Sequence, residues 1–223
     1  MVEMNSLSQY VAVAAGLGTA AYALVDGSKA FQGGVSNYGL DHIKRVVSRF
    51  YSKEREAVGP LPLEEVLATL KANWLNGTAL ADQKAIAKSL IKLRMNEASA
   101  PDLAEATGLD KEVLKTIAKK IVSGGTFTPQ ENDVFGRFDL MLTAILDEGY
   151  QRADQSYRNS AKAWSIGVAI VLALLGKLIV DDPSFSWGMA ILVGLAATPI
   201  APIAKDLTSA LSAGVKVAQA FKK

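Results

Sequence analysis

The side chains on which most metal centres and covalent catalysts depend are scarce in this chain. The 223 residues include no Cys and one His, His42. Structural zinc sites, iron–sulfur clusters and thiol nucleophiles draw on Cys or on several His residues, so the composition excludes these classes. The sequence also lacks the phosphate-loop pattern G-x-x-x-x-G-K-[ST] and the metalloprotease pattern H-E-x-x-H. We therefore predict no catalytic, metal or cofactor site and expect a protein that is not an enzyme.

Paired carboxylates are the remaining arrangement that could support acid–base chemistry. Three adjacent pairs occur: Glu64-Glu65, Asp147-Glu148 and Asp181-Asp182. Adjacent positions on a helix point in different directions, because only residues three or four apart share a face. We therefore interpret the pairs as solvated surface.

A glycine-rich motif at residues 16–21, GLGTAA, matches the dinucleotide-binding pattern G-x-G-x-x-A. That pattern requires a preceding strand, a following helix and a second strand that ends in an acidic residue about 20 positions later. The region near residues 37–41 (NYGLD) contains no convincing second strand, and no β–α alternation follows. Small residues four apart instead let helices approach closely in a membrane. We predict helix-packing and homo-oligomer contacts at Ala14, Gly16, Gly18 and Ala20.

Three apolar segments predict an all-α integral membrane protein with three transmembrane helices. The chain is 50% hydrophobic and 21% charged, with a mean hydropathy of +0.19. Residues 10–25 and 187–204 carry no charge, and residues 163–180 carry only Lys177. Eighteen helical residues span about 27 Å, close to the thickness of a bilayer core. A signal peptide is the alternative for the first segment, and a buried soluble hairpin is the alternative for the other two.

These segments divide the chain into four parts. We predict an N-terminal transmembrane helix in residues 1–32 and a cytoplasmic helical domain in residues 33–162. A transmembrane helical hairpin in residues 163–204 and a C-terminal amphipathic helix in residues 205–223 complete the organisation.

The charges beside the apolar segments orient them in the membrane. Basic residues follow the first segment, precede the second and follow the third, whereas the turn between the last two contains Asp181 and Asp182. Basic loops stay in the cytoplasm. We therefore expect a multi-pass protein of the cell inner (cytoplasmic) membrane, with the N-terminus outside and the main domain and C-terminus in the cytoplasm. Lys177 is expected to extend its amine to the outer interface.

Residues 41–51 have the pattern of an amphipathic helix close behind the first segment. Five apolar residues share one face: Ile43, Val46, Val47, Phe50 and Tyr51. Lys44, Arg45 and Arg49 lie off that face and are candidate membrane-surface residues, because basic amphipathic helices bind anionic headgroups. An ordinary helix that faces a protein core is the alternative, and the sequence leaves both open.

A helix-turn-helix-like unit is predicted at about residues 82–122. Ala104 and Gly108 occupy its small-residue and turn-glycine positions. Four lysines would decorate the second helix: Lys111, Lys115, Lys119 and Lys120. Residues 84–120 hold eight basic and five acidic residues, a net charge of +3 that attracts a phosphate backbone only weakly. We expect a structural role and do not expect a nucleic-acid partner.

Residues 128–131 (TPQE) are typical of a helix start, with Thr as N-cap, Pro at the first position and Glu at the third. No proline follows until Pro183. The sequence thus predicts one long helix from residue 129 into the second apolar segment.

Pro199 and Pro202 lie three residues apart near the end of the third apolar segment. Each removes a backbone donor, so we predict a helix kink at these two positions. The apolar stripe of residues 205–223 then predicts an amphipathic helix that lies along the membrane surface or packs on the cytoplasmic domain.

Two runs resemble the tail of small uncharacterised bacterial three-span membrane proteins. They are RADQSYRNSAKAW, which leads into the second segment, and ATPIAPIAKDL, which leaves the third. The resemblance implies one N-terminal span, a cytoplasmic helical region and a C-terminal hairpin, and it implies no activity.

Together these features predict a homo-oligomeric protein of the lipid bilayer that forms a pore, a channel or a membrane scaffold. Two alternatives remain open. One is a membrane-tethered nucleic-acid-binding or regulatory adaptor that uses the helix-turn-helix-like unit. The other is an accessory subunit of a larger membrane complex.

Overall fold

The computed structural model describes residues 4–52, 61–180, 183 and 185–199, with side chains from residue 11 onward. Every regular element within these ranges is helical, which confirms the all-α prediction for them. Two short 3-10 turns follow the first helix. The α-helices in chain order are α1 (Met4–Gly27), α2 (Asn37–Ser48), α3 (Leu63–Leu75), α4 (Leu80–Leu93), α5 (Ala100–Thr107), α6 (Lys111–Ser123), α7 (Pro129–Ile179) and α8 (Trp187–Pro199).

The chain forms two compact units. The helical unit comprises Ser36–Tyr157, and the terminal unit comprises Met1–Val35 with Arg158–Lys223. These limits fall within five residues of the domain limits predicted at 33 and 162. Residues 129–157 of α7 belong to the helical unit, and residues 158–179 belong to the terminal unit.

One apolar core holds the helical unit together. From α2 and its end it receives Ile43, Val46, Val47 and Phe50, none of which is more than 4% exposed. The sequence left open whether this apolar face of α2 lies on a membrane or on a protein core. The structure shows that it packs into the core of the helical unit. Burial of large apolar side chains contributes roughly 2 kcal/mol each, which fixes α2 against its neighbours.

Trp74 at the end of α3 joins α2, α3 and α7. Its Nε1 donates to the Ser36 carbonyl at 3.0 Å, and its ring meets Tyr157 edge to face with centroids 6.0 Å apart. A Cβ atom at Gly39 would overlap the Trp74 ring and lie 2.7 Å from the Ala153 carbonyl oxygen. Only glycine therefore lets α2 lie this close to its two neighbours.

Ion pairs attach α4 to α7, and we call them the α4–α7 clamp: Lys84, Lys88 and Lys92 with Asp139 and Asp147. Lys84 Nζ lies 2.5 Å from Asp147 Oδ1, and Lys88 Nζ lies 2.7 Å from Asp139 Oδ2. Lys92 pairs with the other Asp139 oxygen. The hydrogen bond from Lys88, followed by that from Lys92, lowers the pKa of Asp139 below its ordinary value.

The start of α7 is the capping box that the sequence predicts. The Glu131 amide donates to Thr128 Oγ1 at 3.3 Å, and the Thr128 amide donates to Glu131 Oε2 at 2.6 Å. A hydrogen bond from Lys120 is the main reason why the pKa of Glu131 is lowered. The helix then continues for 51 residues, which confirms the predicted long helix. No proline interrupts its backbone hydrogen bonds.

Two helices among the described residues are long and apolar enough to cross a membrane: Val11–Ala30 and α7. α8 (Trp187–Pro199) is also apolar, but its described part is shorter than these two helices. Its length of about 20 Å falls short of a bilayer core of about 30 Å. The structure therefore gives two helices of membrane-spanning length where the sequence predicts three, because the described part of the third segment ends before residue 204.

Several predicted features lie outside the described residues. Pro199 is the last described residue of α8, so a kink at Pro199 stays a prediction. Pro202, the Asp181-Asp182 pair and the predicted helix of residues 205–223 are not among the described positions.

Candidate functional site

Small residues build the contact between the helices of the terminal unit. Ala21 of α1, Ala169 of α7 and Ala197 of α8 are fully buried in one cluster. At Gly194, a Cβ atom would lie 2.6 Å from the Ile170 Cα atom. The α7 and α8 backbones thus approach more closely than any larger residue would allow, which is typical of helix packing in membranes.

Many large apolar side chains of the same helices are exposed, whereas Leu17, Val168 and Leu172 pack against the buried alanines. Among the exposed side chains, Ile179 is 83% exposed and Leu178 is 67% exposed. The others that are more than two-fifths exposed include Val13, Leu24, Val171, Leu175, Ile191, Leu192 and Leu195. A soluble helix bundle buries residues of this kind and exposes polar ones. This arrangement instead places small residues inside and many large apolar residues outside.

Two aromatic residues stand near the ends of the apolar stretches. Trp164 precedes the buried cluster on α7, and Trp187 begins α8; both are more than half exposed. Trp is enriched where a helix passes from hydrocarbon to headgroups. Thr19, an exposed polar residue within the apolar part of α1, donates its hydroxyl to the Ala15 carbonyl at 2.9 Å. Its hydroxyl proton is therefore bonded within the helix.

The four residues predicted as helix contacts lie on two faces of α1. Ala14 and Gly18 are buried, on the face that also carries Ala21. Gly16 and Ala20 are exposed, and a Cβ atom at Gly16 would meet nothing within 4 Å. The structure thus brings Ala14 and Gly18 into the chain's own interior and leaves Gly16 and Ala20 open.

A basic cleft lies within the helical unit between α2 and α7. It is lined by His42, Arg45 and Arg49 from α2 and its end, and by Arg152 from α7. Lys44, the third basic residue predicted with Arg45 and Arg49, lies outside the cleft lining and pairs with Asp41 at 3.6 Å. Arg152 is not among the membrane-surface residues that the sequence predicts, because only the tertiary fold brings α7 beside α2.

The Val46 side chain packs closely on the Gly149 backbone at this cleft. A Cβ atom at Gly149 would lie 2.5 Å from Val46 Cγ1 and 2.8 Å from Val46 Cβ. Glycine therefore allows α7 to meet α2 at this point. Glu148, which also lines the cleft, pairs with Arg152 at 2.8 Å.

Within residues 82–122, Gly108 lies in the turn between α5 and α6. Gly108 adopts a left-handed conformation with φ of 67°, and Asp110 caps α6 by accepting from two amides at 2.9 Å each. Lys111 and Lys115 are exposed on α6. Lys119 lies 3.7 Å from Glu97, so a carboxylate shares the same surface.

Within the described residues, the structure is all-α, with two helices of membrane-spanning length, a small-residue helix contact and a basic cleft. Comparison with protein-family models, curated proteins and solved structures finds no match to this chain. Its function is therefore argued from these sites.

Proposed function

We propose that the protein is a homo-oligomeric, non-enzymatic scaffold of the cytoplasmic membrane, with its helical unit in the cytoplasm. The observation that carries the proposal is the distribution of apolar side chains in the terminal unit. Ala21, Ala169 and Ala197 are fully buried, whereas Leu178 and Ile179 are more than two-thirds exposed. Lipid solvates large apolar side chains, so helix contacts in a bilayer rely on small residues.

A scaffold fits the terminal unit better than a pore does. A water-filled channel needs a polar lining. The described contact among α1, α7 and α8 is made of alanines with Leu17, Val168 and Leu172 around them. Lys177 is the charged residue nearest the middle of an apolar stretch, and it lies close to the end of α7.

The open face of α1 supplies the proposed contact between copies. Gly16 and Ala20 are four residues apart and exposed, and nothing described lies within 4 Å of a Cβ atom at Gly16. A second α1 could approach closely along this face and gain dispersion contacts there.

Light scattering on the full-length protein in a neutral detergent tests the proposal. We expect the protein mass of the particle to correspond to two or more chains of 23.6 kDa each. We also expect the protein to stay with membranes after an alkaline carbonate wash. A monomer would overturn the oligomeric scaffold, and release by the wash would overturn the membrane assignment.

A DNA-binding assay on the same preparation tests the nucleic-acid alternative. The exposed Lys111 and Lys115 on α6 are the observation that favours it, and the Lys119–Glu97 pair opposes it. We expect no retardation of duplex DNA by micromolar protein at about physiological salt, since so few phosphate contacts give weak binding. A shifted band that disappears with Lys115→Gln would favour the adaptor.

A further inference from the structure

The basic cleft between α2 and α7 has the groups that recognise a phosphate. Arg45 and Arg49 lie four residues apart, so their side chains are neighbours on one face of the chain at α2 and its end. Guanidinium groups match phosphate oxygens through parallel pairs of N–H···O bonds. His42 adds a ring nitrogen, and Arg152 adds a third guanidinium from the other helix.

Among the residues that line the cleft, positive charges outnumber negative ones. Three guanidinium groups face one carboxylate, Glu148, which pairs with Arg152 at 2.8 Å. No ion pair joins Arg45 or Arg49 to another residue in the described part of the chain. Like charges at this spacing repel one another on a helix, and a bound anion would remove that repulsion.

The cleft is also positioned by rigid structure. Val46, which lies between Arg45 and Arg49 in the sequence, packs directly on the Gly149 backbone. Val46 is 4% exposed and belongs to the core of the helical unit. The two arginines thus extend from a helix that is already fixed by packing, which reduces the ordering required for binding.

We propose that this cleft binds a phosphate monoester group, with Arg45 and Arg49 as the main donors and Glu148 as an internal competitor for Arg152. A soluble phosphate and the headgroup of phosphatidic acid offer the same chemistry. The site lies wholly within the helical unit. Its test is therefore independent of the oligomeric scaffold.

Phosphorus NMR on the full-length protein tests the site in two arms. In the first, inorganic phosphate is titrated into the protein in neutral detergent at about 150 mM salt, where exposed surface charges are screened. In the second, the protein is placed in phosphatidylcholine nanodiscs with and without phosphatidic acid. A saturable shift in the first arm identifies a soluble phosphate ligand, and one in the second arm alone identifies a lipid headgroup.

Three variants separate the cleft from general surface charge. Arg45→Gln with Arg49→Gln is expected to weaken binding at least about tenfold, because charge-assisted hydrogen bonds are lost. Lys44→Gln removes one charge from the same helix outside the cleft lining and should leave binding nearly unchanged. Glu148→Gln should strengthen binding, because Arg152 loses its competing carboxylate; a folding defect would not produce this gain.

The proposal fails if neither arm shows a saturable shift. It also fails if Lys44→Gln weakens binding as much as the arginine variant does, since the attraction would then be diffuse. Weaker binding by Glu148→Gln would likewise overturn the assigned role of that carboxylate.

Discussion

Arg94 is buried in the helical unit, with its side chain 4% exposed. Its Nη2 atom lies 3.1 Å from Asp102 Oδ2, its Nη1 donates to the Phe50 carbonyl, and its guanidinium carbon lies 3.7 Å from the centroid of the Tyr51 ring. Burial raises the pKa of Tyr51, with Arg94 opposing the shift. The neutral phenol donates to the Leu61 carbonyl at 3.2 Å. Arg94 thus connects the end of α2 with α5.

Loss of one partner of this pair should be costly. We expect Asp102→Ala to lower the free energy of unfolding of the helical unit by about 3–5 kcal/mol, because the buried guanidinium loses its carboxylate. Replacement of both partners by apolar residues, Arg94→Met with Asp102→Leu, should recover much of that loss. Urea unfolding, followed by Trp74 fluorescence in a chain with the other two tryptophans replaced by Phe, measures both effects.

An exposed ion pair provides the control. Asp133 pairs with Arg137 at 3.1 Å, and both side chains are more than three-fifths exposed. Asp133→Ala should change stability by less than about 1 kcal/mol. An equal loss in Asp102→Ala and Asp133→Ala would contradict the role given to the buried pair.

At the scale of the helices, the α4–α7 clamp and the capping box of α7 make the helical unit sensitive to acid. The pKa values of Asp139 and Glu131 lie below their ordinary values of 3.8 and 4.5. A carboxyl with a lowered folded-state pKa adds stability above its ordinary pKa, and this is lost as the pH falls through the folded-state value. Stability should therefore be steady near neutral pH and decline below about pH 4.5.

Asp139→Asn tests the contribution of the clamp. It should lower stability at neutral pH by up to about 1 kcal/mol, because the pairs are partly exposed. It should also reduce the loss of stability that occurs as the pH falls below about 4.5. Urea midpoints measured at a series of pH values give both effects. If the stability of the variant fell as steeply in acid as that of the unsubstituted chain, the clamp would not contribute to the acid sensitivity.

The two faces of α1 should respond differently to a large residue. Gly16→Leu should reduce the mass of the detergent-solubilised particle and leave the fold of each chain intact, because Gly16 lies on the open face. Gly18→Leu places the same side chain on the buried face and should lower thermal stability.

Light scattering and thermal melting on the two variants distinguish these effects. If Gly16→Leu kept the full particle mass, the open face would not be the oligomer contact. If Gly18→Leu melted as the unsubstituted protein does, the buried face would not contribute to the packing of the terminal unit.

At the scale of the whole molecule, the distribution of basic residues leads to a testable topology. Since the chain contains no Cys, a single introduced thiol is the only reactive one. Ser186→Cys, just before α8, should react with an impermeant thiol reagent in intact cells. Ser89→Cys, exposed on α4, should react only after the cells are opened. The opposite labelling would reverse the proposed orientation.

Local rules allowed the sequence to predict most helices. The 3.6-residue spacing of apolar residues predicts α2, Gly108 predicts the turn before α6, and Thr128 with Glu131 predicts the start of α7. These features depend on neighbours within one or two helical turns, so no knowledge of the fold is needed.

Contacts between distant segments could not be predicted from the sequence and are seen only in the tertiary structure. Sequence spacing places Gly16 and Gly18 in one small-residue run, but only packing against α7 and α8 decides which face of α1 is buried. Arg45 and Arg152 are more than 100 residues apart, and they meet because Gly149 lets α7 lie against Val46. Helical periodicity fixes which residues share a face, whereas the partner of that face depends on how the helices pack.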